Sequence, residues 1–449
     1  MTNSNPISKY INFVPFVNFN LWDTKRYTSK LISSNYPVVS LDSAILEQSK
    51  KFKIFKELET GFGILGVNNK EGIFDAYIKK GKEINQSYKK MQTGWLAYNP
   101  YRINVGSIGI RLKENQNEYI SPAYVVFSCK ENLLPEFLFF LFKTTVFNKV
   151  INESTTGSVR QNLTFETLKG LEIPLPPIEE QNRMLANYRG KLQLAQQQEE
   201  LAQKHEIEIE RYLYEELGIK KMISKPFLKG VLNTFNFSDI IDRWDYNKGS
   251  NAVFSILHQS KYPVKTLDEV FNFINRSWNK RTYKQKSFNY VEMGSINASL
   301  GIVKTTNVEV SKAPSRATQK ILKGDLIIGT TRPYLKKFAI VTDKNNENIA
   351  SSAFQIIAPS EEYCLDYLLE YIKSEFGIKQ FEYYMTGALY PAITSKDLRR
   401  VIIPFPPIKK QKQISNHINS LKTQIKELNV LSAKNRADAI VEFEKEIFN

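Results

Sequence analysis

Two long stretches of the chain combine a helical period of apolar residues with a near absence of helix-breaking residues. Residues 178–217 contain no proline and a single glycine, and residues 408–449 contain neither. In the second stretch apolar residues recur in alternating steps of four and three, the spacing of a coiled-coil seam: Ile414, Ile418, Leu421, Ile425 and Leu428. The first stretch follows the same alternation less regularly: Leu185, Tyr188, Leu192, Ala195, Ala202, Ile209 and Leu213.

Each stretch is predicted to form one uninterrupted helix. At about 1.5 Å per residue, such a helix is roughly 60 Å long. A helix of this length with one apolar face needs a partner, and the nearest partner is the other stretch. The alternative is that both are ordinary helices, each buried in its own core.

The regions before the two helices are related by an internal duplication. The proline-rich segments LEIPLPPIEEQ (171–181) and VIIPFPPIKKQ (401–411) share three prolines and a glutamine at a separation of 230 positions. The same separation relates Arg102 to Arg332, and it falls to 226 between Tyr36-Pro37-Val38 and Tyr262-Pro263-Val264. A fixed separation with small slips is the pattern that duplication followed by loop insertion produces.

The charge of the chain lies outside the helices. The net charge is +16, with a pI near 9.4. Residues 178–217 carry −4 and residues 408–449 carry +3, so the other 367 residues carry +17. A basic excess on globular regions indicates a polyanionic partner, for which nucleic acid is the first candidate.

Other features limit the class of protein. No apolar run reaches the length of a membrane span, and the first residues lack the pattern of a signal peptide, so we expect a cytoplasmic chain without membrane contact. The two cysteines and three histidines do not have metal-ligand spacing, so we expect no metal site.

Two short motifs raise the possibility of an adenine-N6 DNA methyltransferase. YNPY (98–101) is close to Asn-Pro-Pro-Tyr, and GFGILG (61–66) fits a glycine-rich cofactor loop. However, the second proline is missing, the motifs are close together, and neither recurs in the second copy. We therefore expect both motifs to form turns, because glycine permits positive φ and Asn-Pro begins turns. A diverged or fused methyltransferase stays open as the alternative.

The chain resembles the specificity subunits of type I restriction–modification systems. The resemblance rests on the repeated segments TGSVRQNLTFETLKGLEIPLPPIEEQ and TGALYPAITSKDLRRVIIPFPPIKKQ, each followed by a long helix, and it covers essentially the whole chain. YNPYRINVGSIGI (98–110) also looks like part of the family's target-recognition domains.

This resemblance implies an α/β (α+β) fold with two similar globular target-recognition domains, joined by two long antiparallel coiled-coil helices in a pseudo-twofold repeat. The expected parts are target-recognition domain 1 (1–177), the central spacer helix (178–217), target-recognition domain 2 (218–407) and the C-terminal spacer helix (408–449). Each domain would read one half of a bipartite double-stranded DNA site, and the helices would set the gap between the halves.

The resemblance also implies partners rather than catalysis. The chain would dock modification (methyltransferase) subunits, two in number, and through them the restriction (motor–nuclease) subunits. S-adenosylmethionine would bind only to those partner subunits, so the chain itself would be non-catalytic and would hold no cofactor. A coiled-coil scaffold that binds nucleic acid without sequence preference is a further alternative, and steep salt dependence without preference would identify it.

Polar, basic and aromatic clusters give the candidate DNA-binding residues, because Arg, Asn and Gln pair with base edges and Lys meets phosphate. In the first copy they are Tyr101, Arg102, Asn104, Ser107, Arg160 and Gln161. In the second copy they are Arg276, Trp278, Asn279, Lys280, Arg281, Tyr283, Lys284, Arg332, Tyr334, Lys336, Lys337 and Tyr390.

Overall fold

The computed structural model of the protein describes residues 32–154, 162–220, 252–387 and 389–448. The chain divides into two units, which we call unit 1 (Met1–Glu199 with Asn429–Asn449) and unit 2 (Glu200–Leu428). Each unit contains one copy of the repeat and one part of each long helix.

The described residues of unit 1 combine β-strands with three short helices and part of each long one. Its strands are β1 (Val38–Ser40), β2 (Ile45–Glu47), β3 (Lys51–Phe52), β4 (Gly61–Asn68), β5 (Gly72–Lys80), β6 (Tyr88–Lys90), β7 (Leu96–Tyr98), β8 (Ile108–Ile110), β9 (Tyr119–Ile120), β10 (Val125–Cys129) and β11 (Glu172–Pro174). Its helices are α1 (Pro135–Leu141), α2 (Thr145–Ser154), α3 (Phe165–Lys169) and the first part of α4 (Ile178–Leu217).

The strands described in unit 1 form three sheets. The strand orders are β2-β10-β7-β8, β3-β6-β9-β4-β5 and β1-β11. Helices α1 and α2 cover the first of these sheets, because their apolar residues pack on buried strand residues such as Tyr98 and Phe127.

Unit 2 repeats this plan with shorter strands. Its strands are β12 (Val264–Thr266), β13 (Phe273–Ile274), β14 (Ser287–Val291), β15 (Ile296–Asn297), β16 (Gly301–Ile302), β17 (Thr306–Glu309), β18 (Ala317–Lys320), β19 (Leu326–Gly329), β20 (Phe338–Ile340), β21 (Ile349–Ser351), β22 (Phe354–Ile357) and β23 (Ile402–Pro404). Its helices are α5 (Ala252–Leu257), α6 (Leu267–Val270), α7 (Leu365–Lys373), α8 (Glu375–Tyr384), α9 (Ser395–Arg399) and the first part of α10 (Ile408–Ile447).

The duplication predicted from the sequence is confirmed by strand register. The sheet β13-β22-β19-β20 of unit 2 matches the sheet β2-β10-β7-β8 of unit 1. Leu96 pairs with Ile110 in unit 1, and Leu326 pairs with Ile340 in unit 2, both 230 positions later. A register shift of one residue would move every side chain to the other face of the strand, so the agreement shows that the two copies have the same core pattern.

The prediction that GFGILG forms a turn is wrong, because these residues lie within strand β4. Two of the glycines in this strand lie under neighbouring side chains that leave no room for a Cβ atom. A Cβ atom on Gly63 would lie 2.1 Å from Oδ1 of Asn117, and one on Gly66 would lie 2.6 Å from the ring of Phe74. Both distances are shorter than a non-bonded contact, so larger residues would displace these neighbours.

The proline-rich segments end in a buried glutamine that recurs in both copies. The Gln181 side chain accepts a hydrogen bond from the Leu134 N–H at 2.9 Å and donates one to the Pro176 carbonyl at 2.8 Å. Gln411 makes the corresponding bonds with the Cys364 N–H and the Pro406 carbonyl. In each copy, one side chain therefore satisfies an otherwise unpaired N–H where α1 or α7 begins.

The two long predicted helices are present, and they pack in opposite directions within each unit. In unit 1, Arg436 of α10 makes two hydrogen bonds to the Glu199 carboxylate of α4, at 2.9 and 2.8 Å, and Phe443 packs on Tyr188. In unit 2, the ring of His417 in α10 lies 4.1 Å from that of Tyr212 in α4. From the Glu199–Arg436 contact to the Tyr188–Phe443 contact, the residue number decreases along α4 and increases along α10. The prediction that the two helices are antiparallel is therefore confirmed.

The apolar seam also has the predicted residues. Ile414, Ile418 and Leu421 of α10 are buried, as are Leu185 and Ala195 of α4. Leu185 also belongs to the hydrophobic core of unit 1, and Ile414 and Ile418 belong to that of unit 2.

Candidate nucleic-acid interface

In unit 1, residues 99–107 connect β7 to β8, and we call this segment loop 1. Oδ1 of Asn99 accepts a hydrogen bond from the Tyr101 N–H at 3.0 Å, and the Arg102 N–H donates to the Asn99 carbonyl at 3.0 Å. Gly106 closes the loop with a φ of 84°, in the left-handed region that favours glycine. The prediction that Asn-Pro begins a turn here is confirmed.

The candidate residues of loop 1 differ in their access to solvent. Tyr101 and Arg102 are exposed, and Asn104 is half-buried. Ser107 is buried, and its hydroxyl donates to the Val67 carbonyl at 3.3 Å. This internal bond does not favour the predicted contact of Ser107 with DNA, whereas Tyr101 and Arg102 are available for one.

The corresponding segment of unit 2, residues 330–337, connects β19 to β20 and is called loop 2. Two of its residues that are not glycine have left-handed backbone: Arg332 with a φ of 49° and Lys336 with a φ of 53°. Such conformations cost on the order of 1–3 kcal/mol and persist where neighbouring structure imposes them. Here the Arg332 N–H donates to the Pro391 carbonyl at 2.7 Å, and the Ile393 N–H donates to the Thr330 carbonyl at 2.9 Å.

Arg332 and Tyr390 lie together beside loop 2. The guanidinium carbon is 5.2 Å from the centre of the Tyr390 ring, and Nη2 donates to the Leu389 carbonyl at 3.2 Å. Tyr390 is 74% exposed. Together they present a guanidinium group and an aromatic face, which are groups that bind bases and phosphates.

The other candidate residues of loop 2 differ in their exposure to solvent. Tyr334 is exposed and Lys336 is half-buried. Lys337 is half-buried, and its ammonium group donates to the Ile296 carbonyl. Lys337 is thus engaged within unit 2, whereas the Tyr334 ring is accessible to a ligand.

The segment 276–286 begins with an internal ion pair. Arg276 binds Asp325 with both terminal nitrogens, and the Asp325 side chain is fully buried. The Arg276 guanidinium is therefore held within the fold, which does not favour its predicted contact with DNA. Its charge instead compensates that of a buried carboxylate.

Aromatic packing then anchors the rest of this segment. The ring of Trp278 lies 4.7 Å from that of Phe288 and 5.4 Å from that of Tyr283. Both candidates, Trp278 and Tyr283, are half-buried by this contact. They fix the position of the turn between them and leave its polar side chains at the surface.

The turn itself presents four exposed candidates: Asn279, Lys280, Arg281 and Lys284. Oδ1 of Asn279 accepts a hydrogen bond from the Arg281 N–H at 2.9 Å, which stabilises the turn. The three basic side chains have free access to a polyanion. Arg160 and Gln161 lie outside the described residues.

Two half-buried lysines escaped the sequence analysis. Lys143 donates to the Gly106 carbonyl at 3.0 Å, and Lys373 donates to the Ala298 carbonyl at 2.7 Å. Burial lowers the pKa of Lys143, and burial followed by the charge of Lys422 lowers the pKa of Lys373 to about 8. Their separation of 230 positions was the available signal, since isolated lysines in a basic chain attract no notice.

The described ranges form neither a candidate metal site nor a candidate membrane span. No group of three or more His, Cys, Asp or Glu side chains in those ranges could hold a metal ion. None of the helices described combines the length and apolar character of a membrane span.

Comparison with protein families gives a match in both copies. The model of the type I restriction modification DNA specificity domain matches residues 67–186 and 259–433. Together these ranges include more than half of the chain, and one lies in each copy of the repeat.

Two curated relatives come from Methanocaldococcus jannaschii. The putative type I restriction enzyme MjaX specificity subunit is 24% identical over 65% of this chain, and the match spans 62% of that subunit, which is less than two thirds of its length. The type I restriction enzyme MjaVIII specificity subunit is 22% identical over 78% of this chain and 77% of its own length.

Solved structures show the same fold. The HsdS subunit from Thermoanaerobacter tengcongensis has 16% identity and a TM-score of 0.52, covering 92% of this chain and 97% of that subunit. A chain from a structure describing complex assembly and conformational transition of the type I R-M system has 17% identity and a TM-score of 0.58, with the same coverage.

Proposed function

The chain belongs to the type I restriction modification DNA specificity domain family, and from this premise we propose that it is the DNA-recognition subunit of a type I restriction–modification complex. Each copy of the repeat reads one half of a bipartite double-stranded site. The observation that carries the proposal is the shared strand register of the two copies. Each copy has a loop arginine at the equivalent repeat position: Arg102 is exposed, and Arg332 is half-buried beside the exposed Tyr390.

The charge distribution supports a nucleic-acid ligand. The basic excess lies outside the long helices, and the turn 279–284 exposes three basic side chains that are not engaged in the packing of unit 2. Lysine contacts to phosphate would supply affinity, while Arg102, Arg332 and Asn279 would discriminate between bases. Each well-formed pair of hydrogen bonds to a base contributes about 1–3 kcal/mol of discrimination.

Helices α4 and α10 have a different role in this proposal. They set the gap between the half-sites and dock two modification subunits, through which the restriction subunits join the complex. Duplex DNA rises about 3.4 Å per base pair, so a rigid spacer selects one gap and rejects others. Binding of one half-site by one domain then strengthens binding of the other half-site by the second domain.

The chain in this proposal is non-catalytic and binds no cofactor, and S-adenosylmethionine binds only to the modification subunits. The methyltransferase alternative gains no support from GFGILG, because these residues lie within a strand that forms a hairpin with β5. A glycine-rich cofactor loop instead connects a strand to a helix.

The test separates binding from catalysis. The purified chain, the modification subunits and their mixture are each incubated with a randomised duplex library and S-adenosylmethionine. We expect sequence-specific adenine methylation from the mixture only. Methylation by the chain alone would establish the methyltransferase alternative, and methylation by the mixture without sequence preference would establish the nonspecific scaffold.

A further inference from the structure

A short hairpin turn lies beside loop 1 and another beside loop 2. We call them tip 1 (residues 68–72, NNKEG) and tip 2 (residues 297–301, NASLG). Tip 1 connects β4 to β5, and tip 2 connects β15 to β16. Neither tip was among the candidates derived from the sequence.

The two tips have the same backbone frame. In tip 1, Oδ1 of Asn68 accepts hydrogen bonds from the N–H groups two and three positions later, at 2.9 and 2.7 Å. In tip 2, Oδ1 of Asn297 accepts the same pair, at 2.9 and 3.0 Å. Each tip ends in a glycine with left-handed backbone, Gly72 with a φ of 74° and Gly301 with a φ of 76°. The frame is therefore common to both copies.

Each tip also contacts the strand that follows its loop, at the equivalent position of the repeat. A Cβ atom on Gly109 would lie 2.6 Å from the carbonyl carbon of Gly72, so the two backbones are in direct contact. In unit 2, Ala339 stands 230 positions after Gly109, and its Cβ would lie 3.6 Å from a Cβ on Gly301.

A side chain of each loop joins its tip at one further matched position. Ser107 donates to the Val67 carbonyl just before tip 1, and Lys337 donates to the Ile296 carbonyl just before tip 2. Ser107 and Lys337 occupy the same position in the two copies. These bonds explain why two predicted contact residues are turned inward: each holds a loop against a tip.

Lys143 and Lys373, which lie at the ends of helices, each donate a hydrogen bond to the loop or the tip of their unit. Lys143 follows α1 and donates to the carbonyl of Gly106 in loop 1, and a Cβ on Gly106 would lie 3.8 Å from that of Asn69 in tip 1. Lys373 ends α7 and donates to the carbonyl of Ala298 in tip 2 itself. A half-buried ammonium group is unfavourable unless it is well bonded. Because both copies have such a lysine at the equivalent position, we infer that it holds the adjacent loop and tip in place.

The exposed residues of the tips differ although their frames agree. Tip 1 presents Asn69, Lys70 and Glu71, all exposed. At the matching positions tip 2 has Ala298, Ser299 and Leu300, of which Leu300 is 67% exposed. A constant frame with different side chains is the arrangement expected of an element that distinguishes two sequences on one scaffold.

We propose that tip 1 and tip 2 are additional DNA-contacting elements, one for each half-site, and that Lys143 and Lys373 are positioning residues that hold each tip and loop as one surface. The proposal rests on the proposed function. In tip 1, Asn69 pairs with a base edge and Lys70 meets phosphate. In tip 2, Leu300 contacts an apolar base edge such as the thymine methyl group.

The tip exchange is the direct test. Residues 69–71 are replaced by those of tip 2 (Asn69→Ala, Lys70→Ser, Glu71→Leu), and the variant is assembled with the modification subunits. We expect roughly tenfold or greater loss of discrimination at one or more positions of the first half-site, and no change at the second. Because the frame residues Asn68 and Gly72 are kept, the hairpin should fold.

Matched lysine variants test the positioning role. Lys143→Met should broaden the set of sequences accepted at the first half-site only, and Lys373→Met should do so at the second half-site only. Lys143→Arg and Lys373→Arg should each keep part of the original preference. Lys149→Met and Lys379→Met are the controls, since both residues are exposed on α2 and α8 at one repeat position. The controls should leave both half-sites unchanged.

The outcomes separate this inference from the proposed function. If the unmodified complex shows no two-part preference, the proposed function fails and the tips lose their basis. If the unmodified complex has a two-part preference that the tip exchange leaves unchanged, the inference alone is wrong. If Lys149→Met and Lys379→Met broaden the half-sites as much as Lys143→Met and Lys373→Met, the positioning role is wrong.

Discussion

The guanidinium group of Arg332 lies over the ring of Tyr390, 5.2 Å from its centre, while its backbone is held in a left-handed conformation. The two residues are 58 positions apart, and backbone hydrogen bonds between their segments fix the contact. A strained, preorganised arginine beside an exposed aromatic ring is suited to recognition, because little conformational freedom is lost when a ligand binds.

Replacing Arg332 with alanine should relax recognition of the second half-site by about 1–3 kcal/mol, through loss of a paired base contact. Arg102→Ala is the reciprocal control, because it occupies the same position in the first copy and should affect the first half-site alone. Selection from a randomised duplex library measures both. Equal loss at both half-sites in either variant would contradict the assignment of one copy to each half.

Lengthening the long helices by one turn should change the accepted gap. Four residues inserted after Leu194 in α4, with four after Arg436 in α10, add about 6 Å to each helix, or one to two base pairs of duplex. Library selection should return the same half-sites at the new gap. Four residues inserted after Glu114, in a loop of unit 1, are the control and should leave the gap as it was.

Loss of the buried glutamine should destabilise its unit. Gln181→Ala leaves the Leu134 N–H and the Pro176 carbonyl without their partners, so we expect a decrease in the free energy of unfolding of about 1–3 kcal/mol. Gln197→Ala, an exposed change on the same helix, should alter it by less than about 0.5 kcal/mol. Urea unfolding followed by circular dichroism measures both values.

The low pKa of Lys373 predicts a pH dependence of stability. Burial and the charges of Lys422 and Lys336 lower this pKa to about 8, against the opposing effect of Glu370. The unfolded lysine keeps its proton to about pH 10.4. Below pH 8 both states are protonated and the folded state bears the full unfavourable effect of the buried charge. That effect is relieved as the pH rises above 8, because the folded state then loses the proton first.

Unfolding of the wild-type chain and Lys373→Met should therefore be compared at pH 7 and pH 10. The stability of the wild type relative to the variant should rise by on the order of 1–3 kcal/mol over this range. Lys379→Met is the matched control. The stability of the wild type relative to this variant should be the same at pH 7 and pH 10. A constant difference between the wild type and Lys373→Met would mean that Lys373 does not titrate in this window.

Local and periodic features were predictable from the sequence, and contacts between distant segments were not. The apolar period of α10 and the fixed separation of the proline-rich segments define the helix seam and the duplication, since both recur along the chain. GFGILG was misinterpreted because the same glycine spacing suits a turn or a strand, and the deciding contact of Gly63 comes from Asn117.

The candidate site shows the same limit. Asn99 begins a turn through bonds to its nearest neighbours, so its role was predictable. Arg276 looked available for DNA because its partner, the buried Asp325, is 49 positions away. The tips were missed because an Asn-to-Gly turn is common, and the contacts that distinguish them, including those with Gly109 and Ala339, come from distant segments.

A map of every adenine methylated by the complex assembled on this chain tests the central claim most directly. Two similar domains that each read one half-site predict a single motif with two specific parts, separated by a gap of fixed length without sequence preference. A continuous motif, or methylation without any shared motif, would contradict it.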